Sequence, residues 1–302
     1  MVDNKQQWKA WLYLSPAIVL LLVFTVWPIF NTLRMAFLND YGSMAEMGGI
    51  TFEFGIENFL QCLKNTVILC VVTVPVSTIL ALLIAVALNS IKPLQKTLQT
   101  IFFLPYVTNS IAIGMVFAAM FNIVGLKSTG VAETWGIINN VIMFFGGEPS
   151  NWINAGSPYW ANRVVMIVYI VWNALPFKIL VLLGGLQSIN KQYYDAAKVD
   201  GTPRRRVFTK ITVPLLSPMI AYVVITGFIG GFKEYSSIIG IFGDKMGPAD
   251  DAGRLNTIVG FVYDSLERDR QGRASAAALI LFAIILVVTM INNQVSKKRI
   301  HY

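Results

Sequence analysis

The sequence is short of charge. Asp, Glu, Lys and Arg make up 13% of its 302 residues, against about 25% in soluble globular domains. A chain that is 55% hydrophobic cannot hide its apolar surface behind so thin a polar coat in water. Disorder is excluded by the same numbers, because disordered chains are apolar-poor and charge-rich. The single histidine is His301, which leaves almost no room for histidine-based triads or zinc sites, since both need imidazole inside a folded constellation. Cys62 and Cys70 are too few for a disulfide framework and lack metal-type spacing. Cys70 lies in an apolar run and reads as a small buried hydrophobe. No GxxxxGKS/T phosphate loop, HExxH or serine-type motif is present.

What the sequence has instead is long apolar runs. A bilayer core about 30 Å thick needs about 20 apolar residues in a helix. Runs of that kind predict spans at 10–33, 65–91, 97–123, 164–189, 211–232 and 274–296, with Lys178 the one charge inside any of them. The expected fold is therefore an all-α polytopic membrane protein with six transmembrane helices, one membrane domain over 1–302. The stretch 135–147 is too short to span and is interrupted by Asn139 and Asn140; it fits an interfacial or re-entrant helix. The run after Lys5 and Lys9 is longer than a signal-peptide core and no small-x-small site follows it, so a retained first span is expected.

Six spans put both termini on one side. With that side cytoplasmic, the inner segments hold 13 Lys and Arg against 3 acidic residues, and the longer outer segments hold 10 against 13. The positive-inside rule thus accounts for the net charge of +8. Nucleic acid is not needed as a partner.

One inner loop, 190–210, has a shape. Asp195–Val199 is helix-compatible, Asp200-Gly201 is a turn dipeptide, and Gly201 can take positive φ without a Cβ penalty. Thr202 with Pro203 predicts an N-cap followed by the first residue of a second helix carrying Arg204, Arg205, Arg206 and Lys210, with Pro214 marking membrane entry. On charge alone, this is a basic juxtamembrane loop drawn to anionic lipid. The two alanines and the glycine turn suggest a rigid projection suited to another protein's cleft.

The run Asp195-Ala196-Ala197, three residues, Gly201, nine residues, Ile211-Thr212-Val213-Pro214 resembles the EAA motif of binding-protein-dependent ABC importer permeases. Asp195 stands where Glu is usual, and Val213 where Leu is usual. The likeness extends over nearly the whole chain. Leu14-Ser15-Pro16-Ala17 with Trp27-Pro28, Phe103-Leu104-Pro105-Tyr106, Trp172 with Pro176-Phe177, and Gly185-Leu186-Gln187-Ser188-Ile189 are similar to the maltose-type carbohydrate permeases.

The resemblance implies a type I ABC importer permease for a sugar or oligosaccharide in a bacterial plasma membrane. It implies a homologous second permease, two cytoplasmic ATPases that hold ATP and magnesium, and an extracytoplasmic solute-binding protein, with no cofactor on this chain. The residues it assigns to ATPase coupling are Asp195, Ala196, Ala197, Asp200, Gly201, Arg205 and Pro214. Those it assigns to the substrate path are Tyr106, Ser110, Asn173, Phe177 and Glu234. Glu234 is acidic where the maltose permease has an amide, and Asn173 replaces an aliphatic residue.

Each path residue also has a plainer reading. Tyr106 could be an interfacial anchor, Ser110 a helix-packing hydroxyl, Phe177 a contact with the partner permease, and Lys178 a snorkelling base; Lys233 and Glu234 could simply be solvated. An EAA permease for a polyamine or amino acid is the alternative within transport. A membrane enzyme or a secondary carrier would lack a reason for the EAA loop.

Overall fold

A computed structural model describes residues 7–37, 56–91, 95–124 and 134–299. Helix α1 runs Gln7–Leu21, passes through a π-turn at Leu22–Val26 and continues as Trp27–Met35. Helix α2 is Ile56–Ser90, α3 Gln95–Val107 and α4 Ser110–Phe121. A two-residue antiparallel pair, Ile123–Val124 with Thr134–Trp135, precedes α5, Ile137–Phe144. Helix α6 is Tyr159–Ser188 and α7 Lys191–Val199. Helix α8 begins at Arg204–Val207 and runs through a π-turn, Phe208–Thr212, to Val213–Leu215. Helices α9 (Ser217–Phe232), α10 (Ser236–Phe242), α11 (Ile258–Glu267) and α12 (Gln271–Arg299) complete the chain.

Among the described residues, four continuous helices are long and apolar enough to cross a membrane, and two bent pairs bring the number to six if each pair is one span. The third expected span, 97–123, is not one rod. Its halves α3 and α4 meet at 98°, because Thr108 and Asn109 leave the helix. Lone backbone groups at a break are costly in an apolar medium, and side chains meet part of that cost here. Asn109 Oδ1 accepts the amides of Ile111 (2.8 Å) and Ala112 (3.4 Å), while the Thr108 hydroxyl donates to the carbonyls of Leu104 and Pro105, each at 3.0 Å. The fifth expected span is entered through a second bend, 66° between α8 and α9, where Pro214 and Pro218 flank the buried Leu216. Helix α2 starts nine residues before the expected 65 because the polar turn 56–64 stays helical.

The described residues fall into two compact units, one within Met1–Phe59 and Phe261–Ala283, the other within Leu60–Gly260 and Ile284–Tyr302. In the first, α1 is apolar on every side and none of its described side chains is buried. Phe59 meets Phe261 edge-on at 5.5 Å, and the Arg273 guanidinium lies 4.4 Å from the Phe261 ring centre.

Buried clusters hold the described part of the second unit together. Val165, Met166 and Tyr169 of α6 pack with Ile238 and Leu255, while Ala81, Ala85, Ile179, Leu182 and Leu183 pack with Leu216 and Val223. Where α4 crosses α10 two glycine backbones meet: a Cβ placed on Gly114 would lie 2.6 Å from the Cα of Gly240. Small residues allow this approach of two backbones, as is common between helices in membranes.

The stretch 135–147 does form a short helix, α5. Asn139, which seemed to interrupt it, is its anchor. Its buried amide accepts from Trp152 Nε1 (2.9 Å) and the Ser150 amide (3.1 Å) and donates to the Ser150 carbonyl.

Candidate functional site: a coupling helix and an aromatic face

Helix α7 is held at both ends by local bonds. At its start the Asn190 side chain accepts the Gln192 amide at 2.9 Å. At its end the Thr202 amide donates to the Ala197 carbonyl (2.9 Å) and the Gly201 amide to the Lys198 carbonyl (3.1 Å). These are the two bonds of a Schellman motif, which requires a left-handed residue at the glycine position. Gly201 supplies it with φ +64°.

The expected N-cap is displaced by one residue. Thr202 spends its amide on closing α7, so Pro203 stands at the extended capping position (ψ 146°), its carbonyl accepting from Arg206 and Val207. Arg204, not Pro203, is the first residue of α8.

The assigned coupling residues gather around this turn. Ala196, Ala197 and Asp200 line a groove of about 390 Å³ with Asn190, Thr202 and Ile211. Ala197 is buried, while Asp195 is exposed and pairs with Lys198 at 3.5 Å. Arg205 is exposed in the first turn of α8, and half-buried Pro214 sits before the bend into α9. Val199, at the tip, is 88% exposed. Only the Tyr194 hydroxyl, 3.3 Å from Thr212 Oγ1, bonds an α7 side chain across to α8.

The path residues divide. Tyr106, on the last turn of α3 before the break, stacks on Phe177 of α6 with ring centres 5.8 Å apart and planes at 21°. Phe103 extends this pair on one side at 5.3 Å. Asn173 lies one turn before Phe177 on the same helix and is half-buried. Ser110 opens α4, and its carbonyl receives the Tyr169 hydroxyl, which ties the break to α6.

Glu234 stands elsewhere, beyond the C-terminal end of α9. Its Oε1 accepts the amides of Tyr235 and Ser237 (3.1 Å each), so it caps the start of α10, and its carbonyl receives the Thr257 hydroxyl at 2.8 Å. Burial pushes its carboxyl above the ordinary glutamate range, although the bonds to residues 235 and 237 pull the other way. Lys233 beside it is exposed.

Lys178 neither snorkels nor faces the rings. It is 3% exposed, and Nζ donates to Ser77 Oγ (2.7 Å), Thr78 Oγ1 (2.9 Å) and the Val74 carbonyl (3.2 Å) of α2. Gly227 of α9 leaves the room, since a Cβ there would stand 3.1 Å from Nζ.

Sequence reasoning passed over Tyr222. It lies on α9, 6.4 Å from Phe177 ring to ring, and is 49% exposed. The available signal was a phenol with Thr226 one turn on, within an otherwise apolar helix.

The arrangement is a membrane bundle with a glycine-closed helix exposed between two spans. Residues 63–301 match the family described as binding-protein-dependent transport system inner membrane component, and the chain belongs to that family. It is therefore a transport subunit, a multi-pass protein of the plasma membrane. Among individual proteins, it is 31% identical to the lactose transport system permease protein LacF of Rhizobium radiobacter, over 94% of this chain and 91% of that one. It is 28% identical to the arabinooligosaccharides transport system permease protein AraP of Bacillus subtilis, over 95% and 88%. Its fold matches a chain in the crystal structure of a bacterial ABC transporter involved in the import of the acidic polysaccharide alginate (TM-score 0.77, 22% identity, 98% of this chain and 97% of that one).

Proposed function

We propose that this chain is one of two permease subunits of an ABC importer for a sugar or oligosaccharide. The observation that carries the reading is α7, an exposed helix closed on itself by Gly201 and standing between two spans. In this reading the basic segment 190–210 and both termini are cytoplasmic. A cytoplasmic ATPase dimer grips the face carrying Asp195 and Ala196, and its closure moves α7 and α8 together. ATP and magnesium belong to the ATPases. A homologous permease completes the path, and an extracytoplasmic binding protein delivers the solute.

The sugar assignment rests on the Tyr106–Phe177 stack, because sugars offer apolar ring faces to aromatics and hydroxyls to polar tips. Relatives named for lactose and arabinooligosaccharides agree with it. A polyamine would need carboxylates on the path, and Glu234 is engaged in capping α10.

The test is co-purification with candidate ATPase and binding-protein partners, followed by ligand-stimulated ATP hydrolysis over a panel of sugars, polyamines and amino acids. Stimulation by sugars is expected. Stimulation by putrescine or an amino acid alone would overturn the assignment.

A further inference from the structure

We infer that Tyr222 is a substrate-contacting residue, and that Tyr106, Phe177 and Tyr222 form a stacking track which takes more than one sugar ring at a time. The inference rests on the sugar reading above and adds a residue and a substrate length to it.

Three helices contribute rings: Tyr106 from α3, with Phe103 of the same helix 5.3 Å beyond it, Phe177 from α6 and Tyr222 from α9. From Tyr106 to Tyr222 the centres are 5.8 and 6.4 Å apart along the row, and the planes turn by 21° and then 49°. Tyr106 and Tyr222 are 51% and 49% exposed. Phe177 lies in the central part of the 30-residue α6, so the row sits at depth and not in the belts where tyrosines usually anchor a span.

Neither outer phenol has a hydrogen-bond partner among the described residues. A hydroxyl facing hydrocarbon at that depth is costly, so the pattern of an open aromatic face with a bare polar tip calls for an amphipathic occupant. The track bears no charge, because Lys178, next to Phe177 in sequence, points away into α2. Thr226, one turn beyond Tyr222, lies on the same side of α9; its hydroxyl donates to the Tyr222 carbonyl (2.7 Å), which leaves its oxygen to accept. A neutral polyol with flat apolar faces fits this surface. Aromatic rings offered one after another by three helices suit successive rings of a glycan. One monosaccharide would engage the Tyr106–Phe177 end and leave Tyr222 idle.

The experiment uses the assembled transporter in proteoliposomes with its binding protein, and measures uptake of radiolabelled glucose, galactose, lactose, maltose, trehalose, maltotriose and arabinotriose. Wild type is compared with Tyr222→Ala and Tyr222→Phe. The expected result is uptake of di- or trisaccharides by wild type, lowered about fivefold to tenfold by Tyr222→Ala, the size of one lost aromatic contact. The loss should be larger for the trisaccharide than for the disaccharide, and Tyr222→Phe should recover most of it.

Equal uptake by Tyr222→Ala and wild type would overturn the inference. So would an equal loss for every sugar together with failure to co-purify with the second permease, which would make Tyr222 a packing residue. Uptake of monosaccharides only would overturn the track and leave the sugar reading standing. Uptake of none of the seven, with ATP hydrolysis stimulated by an amino acid or polyamine, would remove both.

Discussion

The ammonium of Lys178 lies 2.7 Å from the hydroxyl oxygen of Ser77, so a cation in the middle of one span is held by a serine in another. No salt bridge to Lys178 occurs among the described residues. The Ser77 and Thr78 hydroxyls also donate to carbonyls of their own helix, at Thr73 (2.6 Å) and Val74 (2.7 Å). They remain bonded without the lysine, whereas the lysine without them keeps only its longer bond to the Val74 carbonyl (3.2 Å). Removing both hydroxyls (Ser77→Ala with Thr78→Val) should therefore cost about 1.5–3 kcal/mol for each bond to the charge. Lys178→Met, which removes the charge and keeps the volume, should cost much less. Thermal unfolding of the detergent-purified chain tests this, and a larger loss for Lys178→Met than for the double variant would contradict it.

Gly201 offers a second test. Its φ of +64° costs a residue with a Cβ about 1–2 kcal/mol, and a β-branched side chain is worse placed still. Gly201→Val should leave the chain in the membrane but abolish uptake and binding-protein-stimulated ATP hydrolysis. Gly201→Asn, which tolerates the left-handed region, should retain a substantial part of both. Normal uptake by Gly201→Val would detach the turn from coupling.

The crossing of α4 and α10 depends on two missing side chains. Gly114→Val would drive a Cβ into the Gly240 backbone, where no side chain can rotate away. Overpacking of this sort costs about 1–3 kcal/mol, and here the helices must part to relieve it. A lower unfolding temperature and faster proteolysis are expected, whereas Gly230→Ala, which meets open space in the same unit, should change little.

The pH dependence of Glu234 has a definite sign. Burial raises its folded-state pKa, so the folded chain holds the proton above the unfolded value of about 4.3. That contribution to stability is complete below the unfolded pKa and is lost as pH rises through the folded one. Glu234→Gln keeps an oxygen for the Tyr235 and Ser237 amides but cannot ionise. Its unfolding temperature relative to wild type should therefore climb as pH rises from 4 and then level off. A difference that is flat with pH would mean the carboxyl is not buried as described.

Much of this was legible in the sequence, for reasons that differ from residue to residue. Spans show because a bilayer demands long apolar runs, and the sequence holds six of them. Gly201 shows because its backbone angle has few alternatives to glycine. The 98° break at Thr108 and Asn109 does not show, since hydropathy registers how apolar a stretch is and not its direction. Thr202 reads as a cap from its side chain, yet its amide is taken by the preceding helix. The partners of Lys178 were hidden because two hydroxyls in an apolar run look like helix-packing residues until the folded chain brings α6 beside α2. Tyr222 was hidden for the same reason, since its meaning lies in the rings of two other helices.

The bonds that close α7 at its C-terminus are all between backbone atoms, apart from the conformation that Gly201 permits. The instructions for folding this helix and those for choosing its partner are thus written in different atoms. The side chains of Tyr193, Asp195, Ala196 and Val199 can be rewritten without unmaking the helix that presents them. One scaffold could in this way present a different surface by side-chain substitutions alone, provided Gly201 stays in place.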